Sequence, residues 1–326
     1  MFSGDLHPLF EPWVVEVIVE ATPSWVGFLL VFLTYLGSVY VLVPLVVLGY
    51  WWDYRRMGPW LGAVVGYYGL LAGIKSLNSA TRPEVGPPVG ADPFPEVFLG
   101  WYEHATAIST TSFPSGNVMA VTIVAGLIVL DTRVSTFRRR TIAAALVVGV
   151  VAYTRLGLGV HYPVDVVAGV LLGLGYLAGI TRLRQRVDDE TRALFALGAA
   201  CAFASIWVLN GVTTLPTFDA MAGSNRVIAF GAAVGGLVIW HLAHRNGQTP
   251  RTLDRTPFPS LALVTFVATA YVVHSSISHP LVTVGWSAIA TATVVALPWV
   301  VPDSRTAASW TKLLFEFEIR DRYRTR

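Results

Sequence analysis

A chain of 326 residues with 54% hydrophobic and only 13% charged residues is far from the roughly 25% charged content of soluble domains. That balance excludes an ordinary cytosolic globule and points to an integral membrane protein. The net charge of +3 says little until it is divided by membrane side, no nucleic-acid partner is expected, and the single cysteine, Cys201, excludes an internal disulfide and a cysteine-based metal cage.

The opening "MFSGDLHPLFEPW" lacks a basic start and a small-residue cleavage site, so no cleaved secretory signal is expected. Next, "PLFEPWVVEVIVEATP" mixes Glu11, Glu16 and Glu20 with apolar residues, a pattern that suits a helix lying on the membrane surface. A bilayer core takes about 20 mostly apolar residues per helix. On that basis nine spanning helices are expected, at 27–51, 58–77, 114–131, 141–156, 163–181, 192–210, 226–244, 259–275 and 280–300. The first is long, and Gly37-Ser38 is a candidate break. The fold class is therefore an all-α, polytopic membrane helix bundle.

Loop charge sets the expected orientation. One set of loops, with the C-terminal tail, carries 19 of the 23 Lys and Arg residues, including Arg55, Arg56, Arg133, Arg138, Arg139, Arg140, Arg182, Arg184, Arg186 and Arg192. Only Lys75, Arg82, Arg155 and Arg226 fall on the other side. The first side reads as cytoplasmic, with the tail inside and the N-terminus outside. The tail "SWTKLLFEFEIRDRYRTR" reads as an interfacial helix or a solvated basic anchor.

Three of the four outer cations stand in short motifs. Lys75 lies in "GIKSLNSATRPE", seven residues before Arg82, and Pro83 biases Arg82 toward an extended conformation, so the second span should end near it. Arg155 closes the fourth span. Charges at membrane level are costly and mark functional sites, and three on the cation-poor face point to a shared anionic ligand. "FPSGNV" (113–118) adds a helix start, whose unpaired N–H groups and partial positive charge suit phosphate. There Ser115 offers a hydroxyl, and Gly116 allows close backbone approach. In "TRLGLGVHYPVD", Pro163 fits the first position of the fifth span. That puts Asp165 in its first turn, able to accept from one imidazole nitrogen of His161 and to leave the other as a nucleophile. Together these residues specify phosphoryl transfer to histidine within a cationic cage. No metal-ligand cluster is evident, and no cofactor is expected.

The same residues resemble the type 2 phosphatidic acid phosphatase family, which includes vanadium-dependent haloperoxidases. Its signatures K-x6-R-P, P-S-G-H and S-R-x5-H-x3-D are matched in order by Lys75-x6-Arg82-Pro83, Pro114-Ser115-Gly116-Asn117 and Thr154-Arg155-x5-His161-x3-Asp165. The resemblance covers roughly residues 25–181. It implies that Lys75, Arg82, Ser115, Gly116 and Arg155 bind phosphate, that His161 is the nucleophile and that Asp165 orients it. It implies activity on a lipid phosphate or polyprenyl diphosphate at the outer face. Thr154 for Ser keeps the hydroxyl. Asn117 replaces the family histidine taken as general acid, and an amide cannot deliver a proton at neutral pH. Either the leaving group needs no acid, as with a diphosphate, or another group such as Glu103 or His104 supplies it. The alternative is a non-hydrolytic or weakly active phospholipid-binding or phosphotransfer protein on the same scaffold.

The expected division is a catalytic bundle at 1–185 and accessory helices with a basic tail at 186–326. The second half carries no recognised motif. Arg226, near Asp219, either meets a lipid headgroup or snorkels to the interface. His274 and His279 are poorly spaced for a metal. Partners are expected to be membrane lipids and the lipid substrate; the sequence leaves oligomeric state open.

Overall fold

The computed structural model describes residues 12–108, 111–209, 225–245 and 279–300. Among these the fold is all-α, without strands. Eleven α-helices follow in order: α1 (Trp13–Glu20), α2 (Ser24–Leu33), α3 (Val39–Trp52), α4 (Tyr54–Ser76), α5 (Glu96–Thr106), α6 (Gly116–Asp131), α7 (Phe137–Gly157), α8 (Pro163–Arg184), α9 (Glu190–Leu209), α10 (Asn225–Arg245) and α11 (Pro280–Val300). A 3-10 turn (Thr34–Gly37) joins α2 to α3.

Five of these helices, α4, α7, α8, α10 and α11, are long and apolar enough to cross a membrane, and a sixth span is formed if α1 and the α2–turn segment count as one. A multi-pass membrane protein follows. The nine expected spans are not all recovered by length and apolarity among the described residues. The predicted 27–51 span is broken at Ser38, where the chain turns extended and the Ser38 hydroxyl accepts from the Tyr40 N–H at 3.1 Å to start α3. α6 has only 16 residues, and α9 forms a 20-residue helix outside the group of five. The predicted 259–275 span and the C-terminal tail lie outside the described residues. The glutamate-bearing stretch ahead of α2 does form a helix, α1, bent 110° from the segment that follows.

α6 is the hub. It is apolar on every face, and Val118, Met119, Ile123 and Leu127 are fully buried, as expected of a helix enclosed by others. Small residues let its neighbours approach. Gly169 and Gly173, one turn apart on α8, face α6 so closely that a Cβ would lie 2.8 Å from the Ser115 carbonyl and 2.9 Å from Thr122. Gly62 and Gly69 of α4 meet the backbone of α9 in the same way.

One end of the bundle is tied by a polar network. Arg184 pairs with Asp131 at 2.9 Å and Glu190 at 2.5 Å, Trp60 donates to Asp131 at 2.6 Å, and Trp240 donates to Asp189 at 3.0 Å. These contacts join α4, α6, α8, α9 and α10 at their loop-rich end. The motif residues all lie at the opposite end.

Candidate functional site

The site grows from the "HYPVD" turn. Tyr162 caps α8, Pro163 is its first residue and Asp165 its third. Asp165 Oδ2 reaches back to the Tyr162 N–H at 2.8 Å, the backbone half of a capping box. The same oxygen lies 3.1 Å from His161 Nδ1. The carboxylate can only accept, so Nδ1 carries the proton and Nε2 keeps its lone pair. Gly159 makes the turn possible. Its φ is +69°, and a Cβ there would lie 2.6 Å from the Gly86 carbonyl. His161 and Asp165 are fully buried.

The "FPSGNV" turn docks directly on this pair, since the Ser115 N–H donates to the Asp165 carbonyl at 3.0 Å. Gly116 then opens α6, whose first N–H groups have no partners within the helix. The Ser115 hydroxyl is buried and makes no hydrogen bond within the protein. Neither does Nε of Arg155, a buried guanidinium that donates to Thr34 Oγ1 at 2.7 Å. Lys75 Nζ donates to the Thr111 carbonyl at 2.5 Å, and Arg82 to the Val160 carbonyl at 3.3 Å, one residue before His161.

Lys75 and Arg82 do not converge along a helix face. α4 ends at Ser76, six residues before Arg82 and earlier than Pro83 suggested. Asn78 explains the early stop: its side chain bonds the Ile74 carbonyl at 2.9 Å and the Phe113 carbonyl at 3.0 Å, turning the chain toward the "FPSGNV" loop.

Burial, and then the charges of Arg155, Arg82 and Lys75, push the His161 imidazole well below its ordinary value of 6.5. All three cations therefore act on one ring. Below pH 6.5 the unfolded chain binds a proton here and the folded chain does not, so the ring stays neutral in the fold and acid weakens the fold. An NMR titration of the His161 ring in micelles should find no protonation midpoint at or above 6.5. A midpoint there would contradict this electrostatic picture.

All eight residues predicted from sequence lie at this end, and the Asn117 amide bonds to the Thr34 backbone. Asn117 sits at the second position of α6, and its Nδ2 donates to the Thr34 carbonyl at 3.3 Å. Thr34 thus joins Asn117 to Arg155. His104 is exposed on the last turn of α5, 5.2 Å from the Tyr40 ring. Partial desolvation of its ring against the neighbouring aromatics, and then the Arg155 charge, hold it below the usual histidine value. Glu103 is exposed. Arg226 stands apart and donates to the Ala72 carbonyl at 3.4 Å. Asp219 and His274 lie outside the described residues. Cys201 is a free, half-buried thiol on α9. Among the described residues no group of three His, Cys, Asp or Glu side chains could hold a metal.

Sequence reasoning missed Ser112. It is fully buried, its N–H donates to the Ala80 carbonyl at 2.9 Å, its hydroxyl donates to Asp165 Oδ2, and it lies 3.3 Å from His161 Nδ1. Ser112 and Asp165 are 53 positions apart, so no local spacing links them. Its place three residues before Ser115 in "TSFPSG" was the one available clue.

No curated protein and no solved structure matches the chain. A family model does, the PAP2 superfamily, over residues 29–189. That segment contains every residue of the site built above. Residues 29–189 therefore make this chain a member of the PAP2 superfamily, which implies phosphatase-type activity on lipid phosphates.

Proposed function

We propose that the protein removes phosphate from a lipid phosphate or an isoprenoid or polyprenyl diphosphate through a phosphohistidine on His161. The observation that carries this reading is the His161 Nδ1–Asp165 contact at 3.1 Å beneath three cations that act on the same ring. Lys75, Arg82, Arg155, the Ser115 hydroxyl and the first N–H groups of α6 hold the phosphoryl oxygens. Nε2 of His161 attacks phosphorus, and the phosphorus–oxygen bond to the leaving group breaks with its electron pair on that oxygen. Water then attacks the phosphohistidine and releases phosphate, and the imidazole returns to its neutral form. The cationic cage neutralises charge on the equatorial oxygens during both displacements.

The site end is opposite the arginine-rich loops. By the positive-inside rule it faces outward in the cell membrane, with the C-terminus cytoplasmic. Residues 1–185 form the catalytic bundle, and 186–326 supply accessory helices.

One observation favours a second reading, a weakly active or non-hydrolytic binder. The Asn117 amide is spent on Thr34 and cannot protonate a leaving group. Purified protein in detergent, offered lipid monophosphates and polyprenyl diphosphates, separates the two. Phosphate release, faster from the diphosphate, is expected; no release from any substrate would leave only the binder.

Ser112→Ala is expected to lower kcat/KM by about 10- to 100-fold, the usual weight of a hydrogen bond to a buried charge. Ser112→Thr should keep most of the activity, because the hydroxyl survives. Equal losses in both would show that packing, and not the hydroxyl, matters at this position.

A further inference from the structure

We infer that the apolar groove between α3, α4, α10 and α11 holds the hydrocarbon chain of the phosphorylated lipid whose headgroup enters the His161 site. The groove has a volume of about 460 Å³, within the roughly 300–1,000 Å³ typical of ligand sites. Among the described residues no charged one lines it, and the polar side chains there are Tyr40, Tyr68, Asn225 and Thr291. On α3 it runs from Val39 to Val47, about 12 Å at 1.5 Å per residue. It therefore descends alongside the helices from the site end of the bundle.

Two aromatic contacts join its upper part to the site. The Tyr40 ring meets His104 edge-on at 5.2 Å and lies 6.3 Å from Tyr35. Tyr35 follows Thr34, the residue that holds both Arg155 and Asn117. On the other wall, the Tyr68 ring lies 4.6 Å from Tyr67, whose hydroxyl donates to the Gly116 carbonyl at 2.9 Å. Tyr68 is seven residues below Lys75 on α4, about 10 Å of helix. An amphiphile with its phosphate among the cations can thus pass one aromatic layer and lay its chain in the groove.

One wall of the groove comes from α10 and α11, which lie beyond the segment matched to the family. The accessory helices thereby acquire a role: they complete a chain-binding wall that the catalytic bundle lacks. This inference rests on the reading of the His161 site as a phosphoryl site.

The test uses two lipids of equal chain length, one ending in a phosphate and one in an alcohol, each with a diazirine near the far end of its chain. Each is photolysed with the whole protein in micelles, and labelled peptides are mapped by mass spectrometry. The phosphorylated probe should label the groove segments of α3, α4, α10 or α11 about tenfold more than the alcohol. Ala232→Phe on α10 and Ala290→Phe on α11, which fill the groove from two helices, should each remove that labelling. Equal labelling by the two probes would show a crevice filled by bulk lipid and overturn the proposal. So would unchanged labelling in both filled variants. The wild-type comparison needs no variant to fold. It also separates this proposal from hydrolysis: selective labelling without phosphate release sinks the enzyme reading alone, and release with unselective labelling sinks the groove alone.

Discussion

His161→Ala is expected to lower phosphate release by about 10⁴-fold or more, the scale seen when a covalent nucleophile is removed from a catalytic unit. The cations and the start of α6 remain, so binding of inorganic phosphate should change little. Two features make the loss specific. Nε2 is the only lone pair that the Asp165 contact leaves on the ring, and burial with three nearby cations keeps that lone pair unprotonated. Thermal unfolding of the variant in detergent, set beside wild type, shows whether the fold survives. A folded variant with turnover within about tenfold of wild type would remove His161 from the chemistry.

Asn117→His is expected to raise monophosphate hydrolysis by roughly 10²–10⁴-fold, the range of general acid catalysis. Diphosphate hydrolysis should rise much less. The difference lies in the leaving group. A lipid diphosphate releases a phosphate monoester, whose second pKa is about 6 by analogy with phosphorylated side chains. A lipid monophosphate releases an alkoxide, which needs a proton as the bond breaks. Position 117 is suited to the exchange: it lies beside Thr34, the residue that also holds Arg155. A protonated imidazole there can donate one N–H to the Thr34 carbonyl and deliver the proton of its other nitrogen to the leaving-group oxygen. Initial rates on both substrate classes decide the matter, and equal gains on both would remove the leaving-group argument.

Much of the site was legible because its motifs are short and end-defined. "HYPVD" encodes a cap, a first-turn proline and a third-position carboxylate, so the His161–Asp165 contact follows from helix rules alone. "PSG" likewise encodes a helix start. What lay hidden depends on pairings between distant segments. Ser112 reaches Asp165, Thr34 reaches Arg155, and Asn78 turns the chain after α4 by bonding Phe113, none at a spacing that periodicity reveals. Hydropathy alone merges α2, the 3-10 turn and α3 into one span because all three are apolar; the break falls at the Gly37-Ser38 pair that the sequence marked, where Ser38 caps α3. The groove was invisible for the same reason, as its walls come from four helices between residues 39 and 294.

Turnover through His161 requires a covalent phosphohistidine. Its most direct test is to mix the purified protein with a polyprenyl diphosphate, quench in alkali within the first turnover, digest, and map phosphorylation by mass spectrometry. One acid-labile phosphoryl group is expected, on the peptide carrying His161, and none in His161→Ala. Steady phosphate release with no labelled histidine, or a label on any other residue, would contradict this route.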